Sequence, residues 1–562
     1  MNCVTLSTRT TRTILKLLCI VSIFVMSAVS ISCQRPSVRS ISWYDARGAR
    51  LHFTGSFQGS NEARFTARGE KKRYILESPI QVPDGYATRL LMSSLSSGTQ
   101  FLVSYGDEKN RGGSLLCTIP SAGNYAFIIP SPQSRTLKWI EIKAITIAEP
   151  TPASTGLSNQ ESYPLELQEI RLAPEMRGFF IQGDTPEISA HFSRSSRNGE
   201  YVYNIDAPFE GLSKAVYAAS QLDVALSGDA GNVAVSWGNQ KITYLHRGGD
   251  SSFSIPSSLL EMNPKTISLV APAGTRIETF CVRPTRRVDE LDRIDPGLLV
   301  NSAPLADTPF YLARWDMRPD TLLFLFKDYA TQDRYLKRLA FFVEKIGYVG
   351  TLAPDSEIAD QHGWNAHDYR PEDLARFFET AQEQHFPLSA EELTLRDILA
   401  KAGIIIARGS NFSAGKGAIV SISQESAPYL QYRFLSHELS HALFFTDTRY
   451  RDLVLSLYQR LTDDEKWFLI RYFRWMRYNV DSSYLMANEM QAYLVQQPIK
   501  DIQNYFRETL GSNLAKAHPE LSSTIDAYMS QHLPALIENA RQLGAYLRAS
   551  YGLESGMLYK MR

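Results

Sequence analysis

Cysteine is scarce in this chain, and neither sign of charge is in excess. Only 5 of the 562 residues are cysteine, too few for a disulfide framework in a chain of this length. Lys and Arg together number 59, and so do Asp and Glu. A basic excess is the usual footprint of a nucleic-acid-binding protein, so we expect no nucleic-acid partner.

Long hydrophobic runs are also missing, apart from one stretch near the N-terminus. Leu17–Ile31 is apolar, but its length of about 15 residues falls short of the roughly 20 that a membrane helix needs. Arg9, Arg12 and Lys16 precede it. A basic segment followed by a short apolar core is typical of a signal peptide. We therefore predict a signal peptide over residues 1–32 and a protein outside the cytoplasm.

The cysteine that follows this segment points to a membrane anchor. Cys33 stands directly after Ser30-Ile-Ser32, and this stretch resembles the lipobox of bacterial lipoproteins. The resemblance implies cleavage before Cys33, a lipid on Cys33, and a place in the cell envelope, either periplasmic or at the outer membrane or cell surface. Cleavage without lipid and an uncleaved anchor are the alternatives. The remaining Cys117 and Cys281 are expected to be buried thiols.

Helical periodicity is nearly absent between residues 40 and 282. Short alternating runs bounded by Gly, Asn, Ser and Pro predict β-strands there. Three short matches suggest a tandem duplication: Val103–Gly106 with Val235–Gly238, Cys117–Pro120 with Phe253–Pro256, and Ile140-Glu141 with Ile277-Glu278. We predict two all-β sandwich domains, at 33–148 and 165–283, joined by a Pro/Ser/Thr-rich linker at 149–164. Their expected ligand is a carbohydrate or a protein.

After a second linker at 284–309, helical periodicity returns and predicts an α+β domain over 310–562. Thr321–Phe326 is expected to be a buried strand and Gly417–Ile422 a short strand, and helices are expected over 329–345, 371–384, 390–401, 429–445, 463–477 and 483–497. Ser389 with Glu392, and Thr462 with Glu465, have the spacing of capping boxes. The predicted fold class is therefore two tandem all-β sandwich domains followed by an α+β domain.

The sequence His437-Glu-Leu-Ser-His441 has the spacing of a metal site on a helix. Residues four apart lie on one helical face, so both imidazoles can bind one Zn²⁺. Glu438 can then reach a metal-bound water and act as general base. Two histidines satisfied within a buried helix are the structural alternative.

A second segment completes a family resemblance. Tyr484–Tyr493, with Glu489 lying 48 residues after His441, resembles the later helix of gluzincin-type zincin metallopeptidases. The resemblance implies a catalytic zinc held by His437, His441 and Glu489, and an α+β zincin fold. Tyr493 stands where thermolysin-like enzymes usually carry an Asp that supports the first His, which leaves that supporting residue unassigned. Asp447, six residues after His441, is the alternative third ligand.

Other side chains are weaker candidates. Tyr484 and Tyr493 flank Glu489 and are the candidate donors to a developing oxyanion. The strand that precedes the zinc helix, Ala418–Ile422, is a candidate edge strand for an extended substrate. His362 and His367 suggest a second metal site or solvated loop residues.

The sequence thus predicts a zinc metallopeptidase of the cell envelope that hydrolyses protein or peptide substrates with a metal-activated water. The alternative is a surface-binding or envelope-organising lipoprotein, an adhesin for example, with a non-catalytic metal or none. A zinc hydrolase of a non-peptide amide or ester is a third hypothesis.

Overall fold

The computed structural model describes residues 41–57, 63–147, 165–182, 185–189, 192–197, 199–210, 212–260, 264–284, 291–302, 305, 307–361, 363–409 and 411–562. The predicted signal peptide at 1–32, Cys33, the linker at 149–164 and His362 lie outside these residues. Within them, no helix is long and apolar enough to cross a membrane. The chain divides into two compact units, 1–173 with 182–190 and 174–181 with 191–562.

The first unit is built of strands whose apolar side chains face one core. The strands Tyr86–Ser94 and Thr99–Gly106 alternate buried and accessible residues along most of their length, as expected where one face of a sheet packs inward. Trp43, Phe65, Phe101 and Ile140 are fully buried in this core. The strands are β1 (Ser42–Tyr44), β2 (Arg50–Leu51), β3 (Phe53–Phe57), β4 (Arg64–Phe65), β5 (Lys71–Gln81), β6 (Tyr86–Ser94), β7 (Thr99–Gly106), β8 (Gly112–Ile119), β9 (Gly123–Ile129), β10 (Thr136–Thr146) and β11 (Leu165–Pro174).

The chain then alternates between the units before the second set of strands begins. Most of β12 (Arg177–Gln182) belongs to the second unit, whereas β13 (Thr185–Ser189) belongs to the first. The strands and helices that follow are β14 (Phe192–Arg197), β15 (Glu200–Asp206), α1 (Lys214–Ala218), β16 (Ser220–Gly228), β17 (Gly231–Trp237), β18 (Gln240–His246), β19 (Ser251–Pro256), a 3₁₀ turn (Ser257–Leu259), β20 (Thr266–Pro272) and β21 (Thr275–Pro284).

The two β regions repeat one topology. One sheet has the order β3-β5-β10-β7-β8, and its counterpart in the second unit has the order β14-β15-β20-β17-β18. The facing strands run β9-β6-β11 and β19-β16-β21. Each strand of the first set therefore has an equivalent in the second. Of the three sequence matches, only Val103–Gly106 with Val235–Gly238 falls on equivalent strands, β7 and β17.

This equivalence changes one domain boundary. The sequence predicts that residues 165–174 open the second β-domain, but β11 pairs with β1 and β4 of the first unit. Leu165, Leu167 and Ile170 are buried in the first core. The strand therefore closes the first β region, as β21 closes the second, and the segment at 149–164 connects two strands of one unit.

The second β region shares its core with the helices that follow. Ile294 and Leu298 are buried in that common core, although the sequence suggested a linker over 284–309. The elements are β22 (Arg293–Ile294), α2 (Gly297–Val300), β23 (Phe310–Trp315), β24 (Thr321–Phe326), α3 (Tyr329–Glu344), α4 (Asp355–Ile358), β25 (Ala366–Tyr369), α5 (Pro371–Glu383), α6 (Ala390–Ala402), β26 (Ile405–Arg408), β27 (Asn411–Ala414), β28 (Ala418–Ser423), α7 (Pro428–Thr446), α8 (Thr448–Arg460), α9 (Asp463–Trp475), α10 (Ser483–Val495), α11 (Ile502–Asn504), α12 (Ser512–Ala517), α13 (Ser522–Gln531) and α14 (Leu533–Tyr551).

The predicted helices and the two predicted strands of this part are confirmed to within two residues at each end. Both capping boxes form, at Ser389 with Glu392 and at Thr462 with Glu465. Two 3₁₀ turns (Ile499–Asp501 and Pro519–Leu521) and a π-helix (Tyr505–Gly511) complete the helical part. The coarse prediction, a β-rich first part followed by a helical part, therefore holds.

The prediction that β28 is an edge strand is wrong. The sheet order is β22-β23-β24-β28-β25, so β28 lies between β24 and β25. Its six residues are all buried, because β24 pairs with it in parallel and β25 in antiparallel orientation. The strand at the edge next to β28 is β25, a segment that the sequence analysis treated as a polar loop.

Candidate metal centre

Helix α7 presents both histidines of the HExxH sequence on one face. Pro428 occupies its first turn, where a missing amide hydrogen costs nothing. Leu435, Leu439 and Leu443 are fully buried and anchor the opposite face of the helix in the core. The ring centroids of His437 and His441 are 4.8 Å apart. The spacing in the sequence therefore produces the adjacency that a shared metal requires.

Glu489 reaches the same point from α10. Its Oε2 lies 3.9 Å from His437 Nε2, and its Oε1 lies 3.9 Å from His441 Nε2. The donor atoms of the three residues all lie within 4.8 Å of one another, so they form a possible metal-binding cluster. Glu489 Oε2 is buried and has no hydrogen-bond partner. An orphaned buried carboxylate oxygen is costly, and a cation in this position would satisfy it.

Burial disfavours charge on both kinds of side chain in the cluster. It raises the pKa of Glu489, and the negative charges of Asp368 and Glu344 raise it further. Burial lowers the pKa of His437, as does the charge of His441, while the hydrogen bond to Gln496 opposes that change. A neutral imidazole is the form that binds a metal.

Gln496 is the outer partner of His437. The Nδ1 of His437 lies 3.2 Å from Gln496 Oε1, and Gln496 caps the C-terminal end of α10. The sequence left this supporting residue unassigned, because an amide seven residues after Glu489 matches no expected motif. Tyr493 stands where thermolysin-like enzymes carry the supporting Asp. Its ring instead packs against His437, with ring centroids 5.2 Å apart.

A second acid, Asp368, contacts the general-base candidate. Asp368 lies on the edge strand β25, with a carboxylate oxygen within 4.8 Å of Glu438 and its Oδ1 3.8 Å from His441 Nε2. Asp368, Glu438 and His441 form the other group whose donor atoms lie within 4.8 Å. Burial and the charge of Asp368 raise the pKa of Glu438. Glu344, at the end of α3, has a pKa raised to about 8 by burial and by Asp368.

Asp447, the alternative third ligand, is occupied elsewhere. Its Oδ2 accepts hydrogen bonds from the hydroxyls of Tyr546 and Tyr551, at 2.7 Å and 2.6 Å. Its Oδ1 accepts from the backbone amides of Arg449 and Tyr450, at 2.9 Å and 3.2 Å. It is therefore the N-cap of α8, and it belongs to neither group of metal-ligating atoms among the described residues.

The candidate oxyanion donor Tyr484 packs against side chains outside the metal-binding cluster. The ring of Tyr484 packs on Phe444, with centroids 5.0 Å apart, and lies 5.0 Å from the Arg370 guanidinium. Tyr478, which the sequence did not single out, stacks on Trp364 at 5.9 Å. Burial raises its pKa, and the charge of Glu489 is the next cause. Tyr478 lies in the loop before α10, near enough to Glu489 for that charge to act on its hydroxyl.

A cleft of about 180 Å³ opens beside the cluster. Asp368, Glu489 and Glu344 line its inner end, and its walls combine apolar and polar side chains: Val343, Val349, Phe445, Leu485, Tyr369, Arg370, Asp373, Arg376, Asn479, Ser482, Tyr484 and Asn488. Arg370 is paired with Asp373 at 2.7 Å. Of the three cluster residues, Glu489 lines this cleft, so a small ligand or a substrate segment in the cleft would reach its carboxylate.

Two further sequence candidates lie outside the cluster. His367 is buried on β25, where its Nδ1 lies 2.9 Å from the Tyr369 hydroxyl. It belongs to neither group of metal-ligating atoms in the described part of the chain. Cys117 is buried, which raises its pKa, and Cys281 is buried as well.

Comparisons with known proteins give no family. No family model matches the chain, and no curated protein matches it. Among solved structures it is similar to an allantoicase (9% identity, covering 39% of this chain and 78% of that chain, TM-score 0.16). An allantoicase from Saccharomyces cerevisiae is 8% identical, with 39% of this chain and 78% of that chain covered and a TM-score of 0.16. An oxalate decarboxylase from B. subtilis is 11% identical, with 45% of this chain and 79% of that chain covered and a TM-score of 0.12. These TM-scores are too low to support an argument about function.

Proposed function

We propose that this chain is a zinc-dependent peptidase of the cell envelope, with His437, His441 and Glu489 as the metal ligands. The observation that carries the proposal is the approach of Glu489, from a separate helix, to within 3.9 Å of both imidazoles. Two imidazoles and one carboxylate, with a position left open, are the ligand set of catalytic zinc sites in metallopeptidases. The set suits zinc better than calcium or magnesium, which prefer oxygen ligands.

Zinc bound there would lower the pKa of a coordinated water and polarise the scissile carbonyl. Glu438, one residue after His437 on the same helix, would serve as the general base for the attacking water and as the proton donor to the leaving nitrogen. A carboxylate oxygen of Asp368 lies within 4.8 Å of a carboxylate oxygen of Glu438, and we assign Asp368 the role of orienting the Glu438 carboxyl group. Tyr478 joins Tyr484 and Tyr493 as a candidate donor to the oxyanion.

The edge strand β25 is the proposed binding site for the substrate backbone. It carries Asp368 and pairs with β28 through one edge. No strand among the described residues pairs with its other edge, which is the proposed place for strand addition by an extended peptide. The proposed strand addition involves β25 rather than β28, because both edges of β28 are already paired with neighbouring strands. A protein or peptide substrate can thereby lie across the cleft beside the metal ligands.

The remaining parts of the proposal concern location and partners. A lipid on Cys33 would tether the chain to a membrane, on the periplasmic side or at the cell surface. The two β regions, with their repeated topology, would bind a carbohydrate or protein of the envelope and bring substrates to the cleft. Their ligand class rests on the sequence pattern alone.

The test measures metal content and hydrolysis in the soluble chain that begins at Gln34. We expect about one zinc per chain in the parent, a loss of zinc in Glu489→Ala, and retained zinc with hydrolysis reduced by about 10³-fold or more in Glu438→Gln. Asp447→Asn is the matched carboxylate control and should keep its zinc. Hydrolysis that survives Glu438→Gln would contradict the mechanism.

A surface-binding lipoprotein without catalysis remains the second candidate. The repeated β regions, which make up much of the chain, favour it. A parent chain that binds no zinc after reconstitution, yet binds envelope material, would support this alternative and refute the peptidase.

A further inference from the structure

We propose that Gln496 positions His437 for metal binding and that its neutral amide sets the metal affinity of the site. The inference rests on the proposed metal site and goes beyond it, since neither the HExxH sequence nor the Glu489 helix identifies this residue. Its evidence is a chain of contacts that begins and ends on α7.

The first contact determines which nitrogen of His437 carries hydrogen. The Nε2 of His437 faces Glu489 at 3.9 Å and its Nδ1 faces Gln496 Oε1 at 3.2 Å. If Nε2 is the ligand atom, Nδ1 is the N–H donor and requires an acceptor. The amide oxygen of Gln496 is that acceptor.

The second contact holds the amide in this orientation. Gln496 Nε2 donates to the hydroxyl of Tyr505 at 3.2 Å, so the oxygen is left to face His437. Tyr505 opens the π-helix Tyr505–Gly511, a rare element that often marks functional sites. The guanidinium of Arg433, one turn before His437 on α7, lies 5.5 Å from the Tyr505 ring. Gln496 is 7% exposed, so water cannot readily replace this contact.

The charge of the acceptor is the functional consequence. A carboxylate in this position would increase the basicity of the imidazole and strengthen its bond to the metal. A neutral amide orients the ring without adding charge to a site that already contains Glu489, Glu438 and Asp368. His441 Nδ1, in the described part of the chain, has no hydrogen-bond partner. Among the described residues, Gln496 is thus the single side chain that orients an imidazole of the cluster through a hydrogen bond from outside.

The experiment measures zinc affinity by competition with a chromophoric chelator, together with the unfolding midpoint of the zinc-free protein. We expect Gln496→Leu to weaken zinc binding by about 10- to 100-fold with little change in the zinc-free midpoint. Gln496→Glu should bind zinc at least as tightly as the parent, because the carboxylate can accept from both His437 and Tyr505. The visible spectrum of the Co²⁺-loaded protein should change in both variants.

Gln497→Leu is the matched control, since Gln497 is the adjacent residue and is 9% exposed. Equal zinc affinity in Gln496→Leu and Gln497→Leu would overturn the inference while leaving the proposed function intact. Equal losses of zinc affinity and zinc-free stability in Gln496→Leu, without recovery in Gln496→Glu, would assign the residue a structural role only. A parent chain that binds no zinc would instead refute the proposed function itself.

Discussion

Carboxylate side chains near the candidate site differ in whether their oxygens have hydrogen-bond partners, and this difference distinguishes a candidate metal ligand from a structural residue. Glu489 is buried with an oxygen that lacks a partner, whereas both carboxylate oxygens of Asp447 are occupied by hydroxyl and amide donors. A buried polar atom without a partner is expensive. A bound metal would therefore supply the partner that Glu489 Oε2 lacks, whereas both oxygens of Asp447 already accept hydrogen bonds.

This contrast predicts opposite effects for two carboxylate substitutions. Asp447→Ala should lower the free energy of unfolding by about 1–3 kcal/mol, because α8 loses its N-cap and two tyrosine hydroxyls lose their acceptor. Its zinc content should equal that of the parent, whereas Glu489→Ala should lose zinc. Urea unfolding and metal analysis of the same preparation test the prediction, and loss of zinc from Asp447→Ala alone would assign the third ligand to Asp447.

Secondary-structure elements far apart in the chain meet at the C-terminal segment. The backbone amides of Lys560 and Met561 donate to Asp295, at 2.7 Å and 3.0 Å, and Met561 forms a β-bridge with Tyr244. Leu558 and Met561 are fully buried. The segment therefore joins the second β region to the start of α2 and, through Leu558 and Ser436, to the helix that carries both histidines.

A single methyl group should disturb this junction. A Cβ at Gly297 would come within 1.8 Å of the Met561 carbonyl oxygen, so Gly297→Ala must displace the segment or α2. We expect a loss of about 1–3 kcal/mol in the free energy of unfolding and faster proteolysis near residue 560. Gly511→Ala, whose nearest contact would be 3.0 Å, is the control and should have a smaller effect; equal effects would show that the junction is not tightly packed.

For the molecule as a whole, one buried acidic pair should influence the pH dependence of stability. Burial, and then the charge of Asp316, raise the pKa of Asp295 to about 7. The folded chain therefore holds a proton that the unfolded chain releases near pH 4, and folding stability falls as the pH rises from about 4 to about 7. A pKa that differs by one between the folded and unfolded chains changes the free energy of unfolding by about 1.4 kcal/mol.

Replacing the second acid tests this prediction. Asp316→Asn removes one cause of the raised pKa and should flatten the decline in unfolding free energy between pH 4 and pH 7 by about 1 kcal/mol or more. Urea unfolding can be followed by tryptophan fluorescence, to which Trp315, fully buried and adjacent to Asp316 in the chain, contributes. Other carboxylates titrate in both proteins, so the difference between the two curves isolates the pair; identical curves would contradict the coupling.

Local patterns in the sequence were sufficient for the predicted helices and strands of the C-terminal part and for part of the site. Helix positions, both capping boxes and the pairing of His437 with His441 follow from contacts within a few residues, whose geometry is set by the helical repeat. The place of Glu489 followed from a family resemblance, and its approach to both histidines agrees with it. The β-rich first part followed from alternation over short runs.

Contacts between distant segments decided the rest. Asp368, Gln496 and Tyr478 reach the site from a strand, a helix end and a loop, and no local spacing relates them to His437. The edge strand was misassigned because strand order depends on pairing partners rather than on composition. Strand β11 belongs to the first β region for the same reason. Helical periodicity is encoded in neighbouring residues, whereas sheet order and a shared cleft arise only when the whole chain packs.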